Sequence, residues 1–115
     1  MTRPVEDLAL GYFEKVRAKD AKALGAMFAE DGALLGLGRK LVGPAQIEAW
    51  YAELFKNGSP DPQVHVIAAH GDVCFAEIAG RRQDGGVASV IDRFSFNAEG
   101  RIAEMAVYLG PGSQS

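Results

Sequence analysis

Between Val87 and Leu109 the chain reads VASVIDRFSFNAEGRIAEMAVYL, and this stretch limits the fold more than any other. Its first half alternates. Val90, Asp92, Phe94 and Phe96 fall on one side of an extended chain and Ile91, Arg93 and Ser95 on the other, the period of two that marks a half-buried strand. Asn97 to Gly100 supplies a turn, and Arg101 to Leu109 resumes as a second strand. Asp92 is thereby placed in register with two phenylalanines. An ionised carboxyl among aromatics costs several kcal/mol unless it is paired, protonated or wet, so Asp92 is either misassigned to that face or there for chemistry.

Gln63 to His70 and Val73 to Gln83 have the same extended character and are followed by short turns at Gly71-Asp72 and Asp84-Gly85, so the four strands read as an antiparallel meander. The first half of the chain is helical in pattern. Over residues 4 to 19, Leu8, Tyr12 and Val16 recur every four, Phe13 widens the stripe, and Pro4 is tolerated in the first turn. Asp20 is placed to cap a second, short helix facing inward with Ala21, Leu24, Met27 and Phe28, which Glu30-Asp31-Gly32 ends. Ala33 to Leu37 and Arg39 to Val42 form a small hairpin, and Gly43-Pro44 opens a third helix with Ile47, Trp50, Tyr51, Leu54 and Phe55 on its apolar face. Helices followed by strands predict an α+β domain over residues 1–110, three N-terminal helices covering one face of a curved sheet, with 111–115 as a loose tail.

The chain has 115 residues, enough to bury roughly two thirds of the surface that its unfolded form exposes. No apolar run approaches the ~18 residues of a membrane helix, and the N-terminus carries acids where a secretion signal is apolar, which predicts a cytoplasmic protein without a membrane partner. A net charge of -3 with scattered basic residues argues against nucleic acid. The single cysteine, Cys74, excludes an internal disulfide and a thiolate-cluster metal site. His65 and His70 stand five apart in one strand and point to opposite faces, so neither a metal nor another cofactor is expected.

The Asp84-Gly85 dipeptide suits a two-residue type I′ turn. With that turn, Glu77 stands directly across from Asp92, and Arg81 shares their face four residues along. Two carboxylates about 5 Å apart at an effective dielectric near 20 repel by about 3 kcal/mol, enough to keep one protonated at neutral pH. A one-residue slip, with Gly85-Gly86 as the turn, leaves Glu77 a solvated rim residue instead. The opposite sheet face then carries Cys74, Ala76, Ile78, Ile91, Ser95, Ala106 and Tyr108, apolar enough to predict a symmetric homodimer through it.

Three segments carry a resemblance. The opening helix with Tyr12 followed by KDAKALGAMFAEDG, the LVGPAQIEAWY segment and VIDRFSFNAEGRI together resemble the NTF2-like superfamily, especially its SnoaL-like and ketosteroid-isomerase-like members, over nearly the whole chain. The resemblance implies a cone whose open end, between curved sheet and helices, binds a small apolar ligand. It also implies that Tyr12 occupies the position of the isomerases' oxyanion-hole tyrosine and Asp92 that of their protonated aspartic acid, with Tyr51 as a supporting tyrosine. The isomerases' general base, an aspartate on the first short strand, falls by ungapped counting at Gly36, which cannot abstract a proton.

The resulting expectation is proton-transfer chemistry of isomerase, cyclase or dehydratase type on an apolar carbonyl compound. Tyr12 and Asp92 would donate to the developing enolate oxygen and Glu77 would move the proton. Trp50, Tyr51, Met27, Phe28, Arg81, Phe94, Phe96, Met105 and Val107 are the candidate substrate-binding residues. Two alternatives remain: a non-catalytic ligand-binding or dimerisation domain, which the glycine at position 36 favours, and water activation of the kind that limonene-epoxide-hydrolase-like members perform with two acids bridged by an arginine. This fold hosts enzymes and plain binders alike, so the site has to decide.

Overall fold

The computed structural model describes residues 4–36, 38–58, 61–81 and 87–110; the side chains at positions 80, 81, 87 and 88 lie outside that description, as do the turn at 82–86 and the tail at 111–115. In chain order run α1 (Val5–Arg17), α2 (Ala21–Ala26), β1 (Phe28–Gly36), β2 (Arg39–Val42), α3 (Pro44–Lys56), β3 (Gln63–His70), β4 (Val73–Arg81), β5 (Val87–Phe96) and β6 (Ile102–Leu109). The six strands form one sheet in the order β2-β1-β6-β5-β4-β3, antiparallel throughout except that β1 and β6 run parallel.

The helices form where the apolar spacing predicts them. Ala9, Tyr12, Phe13 and Val16 are the buried stripe of α1 and Ile47 and Tyr51 that of α3. The Asp20 carboxylate accepts from the Ala23 amide at 3.1 Å, and Pro44 begins α3, where its missing N–H costs nothing. Arg17 Nη1 donates to the Pro62 carbonyl at 2.7 Å, tying the end of α1 to the segment between α3 and β3. Phe13, Phe28, Phe94, Leu24, Ile47, Ile102 and Met105 are fully buried between helices and sheet.

Two expectations are corrected here. The second helix stops at Ala26, and Phe28 already belongs to β1. The apolar spacing through Met27 and Phe28 is equally satisfied by a helix that ends and a strand that begins against the same core. Gly32 does not end a helix but sits at an irregularity of β1 between Phe28 and Ala33, where a Cβ would lie 2.6 Å from the Ile102 carbonyl oxygen.

The second correction is the β4–β5 register. Arg81 pairs with Val87, and from there Glu77 opposes Ile91 while Asp92 opposes Ala76. Pairing is shifted by one residue from that of a two-residue Asp84-Gly85 turn, which turns the described side chains of β4 to the other face. Cys74 and Ala76 are therefore buried against the helices, and Phe75 and Glu77 are exposed on the outer face. An irregularity between Val64 and Val66 also leaves Val66 paired with Glu77, outward and 57% exposed.

Candidate active site

Three elements converge on one cluster: the α1 stripe carries Tyr12 toward the sheet, α3 brings Tyr51 beside it, and the β5 alternation turns Asp92 inward. The Tyr12 and Tyr51 hydroxyls hydrogen-bond to each other. Tyr12 packs edge-on against Phe13 (5.1 Å between ring centroids) and Phe94 (5.2 Å), and Tyr51 packs against Trp50 (5.0 Å) and Phe55 (5.8 Å). Asp92 is flanked in the sheet by Ala76 and Val107 and is 4% exposed, the one buried charged side chain among the described residues.

Burial governs the electrostatics. With its hydration removed, the Asp92 carboxyl rises from the ordinary 3.8 to about 7. The Tyr12 phenol is held well above its ordinary value by burial first, and then by Tyr51 and the charge of Asp92. Tyr51 is raised as well, chiefly by burial, with its hydrogen bond to the Tyr12 hydroxyl group acting against the shift and the Asp92 charge adding to it. Both phenols thus remain O–H donors at neutral pH, beside a carboxyl that is poised to give or take a proton there.

The other candidates divide. Glu77 is not in this cluster: it is exposed on the outer face, because the pairing that put it opposite Asp92 is shifted by one residue. The side chain of Arg81 lies outside the described residues. Phe94 and Met105 oppose each other in the sheet and are buried, Val107 opposes Asp92, and Trp50 is half-buried against Tyr51. Phe28 is buried and Met27 half-buried. Phe96 stacks on Phe94 at 6.0 Å but lines a concavity of about 390 Å³ with Val5, Leu8 and Asp72, four residues along the strand from Asp92. Among the described residues no group of three or more His, Cys, Asp or Glu side chains is placed to hold a metal ion.

Cys74 faces inward, its thiol pushed up to about 11 by burial first and the charge of Glu6 second, which makes it an inert core residue. Two residues near the site escaped the sequence reading. Ala76 is buried directly opposite Asp92, a position that depended on the register. Arg39 lies over the Trp50 ring, its Cζ 5.3 Å from the centroid, and nothing in the linear order marks that contact.

A buried tyrosine pair and a raised carboxyl between helices and a curved sheet describe an NTF2-like α+β fold with a polar cluster in its apolar interior. Residues 9–105 match the SnoaL-like domain, and the chain belongs to that family. No curated protein sequence matches the chain. Among solved structures it is similar to a provisionally assigned polyketide cyclase from Sinorhizobium meliloti, with 24% identity, 88% of this chain and 93% of that one covered, and a TM-score of 0.79. It is also similar to SalBIII, described as an epoxide hydrolase/cyclase-like enzyme in pyran ring formation in the polyether salinomycin (19% identity, 95% and 92% covered, TM-score 0.79). An NTF2-like protein of unknown function from Cytophaga hutchinsonii shares the fold at 14% identity, 96% and 94% covered and a TM-score of 0.79. At these identities the likeness is one of fold.

Proposed function

We propose that the protein is a small-molecule enzyme of the proton-transfer type, acting on an apolar carbonyl compound, in which Asp92 itself carries the proton. The observation that supports this reading is the Asp92 carboxyl, buried beside the Tyr12–Tyr51 pair and titrating at about 7. As carboxylate it would take a proton from the carbon next to the substrate carbonyl. The electron pair left on carbon would pass into the carbonyl to make an enolate, whose oxygen accepts the Tyr12 hydroxyl hydrogen bond while Tyr51 holds Tyr12 in place. Protonated Asp92 would then return the proton to another carbon, giving isomerisation, or to a leaving hydroxyl, giving dehydration.

With Glu77 exposed on the outer face, no second buried acid among the described residues supports a base separate from Asp92, and the isomerases' own base position falls at Gly36. The same fact removes the second acid on which epoxide hydrolysis would depend. The likeness in fold to a provisionally assigned polyketide cyclase and to an epoxide hydrolase/cyclase-like enzyme is compatible with a ring-closing variant of the proton transfer.

Protonated Asp92 with an enolate is mimicked by protonated Asp92 with a phenolate. A nitrophenol that is ionised from about pH 5 upward should bind the wild type progressively more weakly as pH rises through about 7, while Asp92→Asn should bind it with little pH dependence. A ligand that ranks by apolar area alone, with the same flat profile in both proteins, would make this a passive binding pocket.

The outer sheet face supports a homodimer. Val66, Phe75 and Tyr108 are 57%, 43% and 50% exposed there, and Val66, Ala68, Phe75, Glu77 and Ile91 line a shallow depression of about 210 Å³. Beside it Arg93 pairs with Glu104 at 2.6 Å and donates to Ser95 Oγ at 2.8 Å, a fixed polar patch that sets one orientation for a facing copy. Sedimentation at micromolar concentration should give a dimer, and Phe75→Glu a folded monomer; a monomeric wild type would count against the interface.

A further inference from the structure

Arg39 stands outside the tyrosine–aspartate cluster but at its level in the sheet, with Trp50 of α3 beside it. Arg39 pairs with Gly36, a Cβ on Gly36 would lie 2.9 Å from that of Val107, and Val107 pairs with Asp92. One row therefore crosses β2, β1, β6 and β5 from Arg39 to Asp92, and directly opposed residues share a face. At ~4.8 Å per strand, the two ends of the row are about 14 Å apart at Cα. On the helix side of the same row, the Arg39 guanidinium lies over Trp50, which stands edge-on to Tyr51, which in turn bonds Tyr12. Arg39, Trp50, Glu53, Leu54 and Asn57 line a groove of about 250 Å³. The Glu53 carboxylate in it is engaged by Lys56 at 3.3 Å.

We propose that this groove binds the carboxylate of a small organic acid whose apolar body extends toward Asp92. The Trp50 ring beneath it restrains the Arg39 guanidinium, whose planar fork of N–H donors matches a carboxylate through two parallel hydrogen bonds. Leu54 and the Trp50 edge supply the apolar wall for the carbon next to the carboxylate. One planar cation beside the Glu53 carboxylate suits a singly charged anion better than a phosphate dianion. The substrate class is then a keto acid or unsaturated acid whose apolar chain is long enough to span the row, about 14 Å at Cα, between its carboxylate at Arg39 and its reacting carbon at Asp92. That last step rests on the proton-transfer reading of Asp92; binding at Arg39 does not.

Trp50 is the one tryptophan of the chain, so its fluorescence reports this groove. Titration with 4-phenylbutyrate and with its neutral amide at pH 7 should show the acid binding about tenfold tighter, the worth of one charge-assisted contact. Arg39→Gln should bring the two within about twofold and Arg39→Lys should keep part of the preference, because a point charge attracts the anion without the bidentate fit. Asp92→Asn should leave the preference intact. Equal binding by the wild type, no fluorescence response to either compound, or an acid preference that survives Arg39→Gln would overturn the assignment. A preference that obeys Arg39 while the nitrophenol profile stays flat leaves the groove standing and removes the proton-transfer reading; the opposite pair of results removes the groove alone.

Discussion

Asp92→Asn should gain stability on the wild type as pH rises, with the gap between the two in urea unfolding widening by roughly 4 kcal/mol from about pH 4 to about pH 8. In the unfolded chain the carboxyl titrates near 3.9, as an ordinary aspartate does. In the fold it titrates at about 7, because burial penalises the charged form. Between those values the folded protein holds a proton that the unfolded chain has released, so each step up in pH favours unfolding. Below the window both states are protonated and above it neither is, so the slope vanishes at both ends. Asparagine cannot titrate, and every other group is common to the two proteins. A wild type that tolerates this loss at neutral pH keeps a destabilising acid where an apolar residue would pack, the pattern of a group retained for chemistry.

Restoring an acid at the isomerases' base position should fail. Gly36→Asp is expected to cost about 3 kcal/mol or more, combining a backbone conformation that side chains avoid with overpacking of a filled site. Gly36 has φ +135°, and its missing Cβ would lie 2.9 Å from both the Cβ and the carbonyl oxygen of Val107. Gly38, also left-handed at φ +76° but with nothing within 4 Å of its missing Cβ, is the control: Gly38→Ala should cost only about 1 kcal/mol. Equal, small losses for both in urea unfolding would mean that β1 can move away from Val107 and that a base could be carried there after all. The expected contrast makes position 36 a place where the fold itself excludes a side chain.

The cluster was legible because three periodicities point at it. Tyr12 and Tyr51 lie on the apolar stripes of their helices, and Asp92 keeps the phase of Phe94 and Phe96 in β5. Such patterns survive small errors in where an element starts. Glu77 was not legible, because its face depends on the parity of the β4–β5 pairing: the described register is centred one half-step from the Asp84-Gly85 turn, and a single residue decides between interior and solvent. Cys74, Ala76 and Ile78 went to the wrong face for the same reason, and Val66 points outward because of the irregularity beside His65. Ile91, Ser95 and Tyr108 kept their faces, since their register is set within β5 and β6. The helix-to-strand change at Met27 was hidden because one apolar core receives both elements. The parallel pairing of β1 with β6 and the Arg39–Trp50 contact join residues far apart in the chain, and no local pattern encodes either.

The measurement that bears most directly on the account is the titration of the Asp92 side-chain carboxyl carbon by NMR in the intact protein, with Asp92→Asn to assign the signal. A midpoint at about 7, well above the 3.8 of an ordinary aspartate, is the predicted result. A midpoint near 4 would mean that the carboxyl is hydrated or paired in solution, and would contradict the proposal that this buried acid is the group that moves the proton.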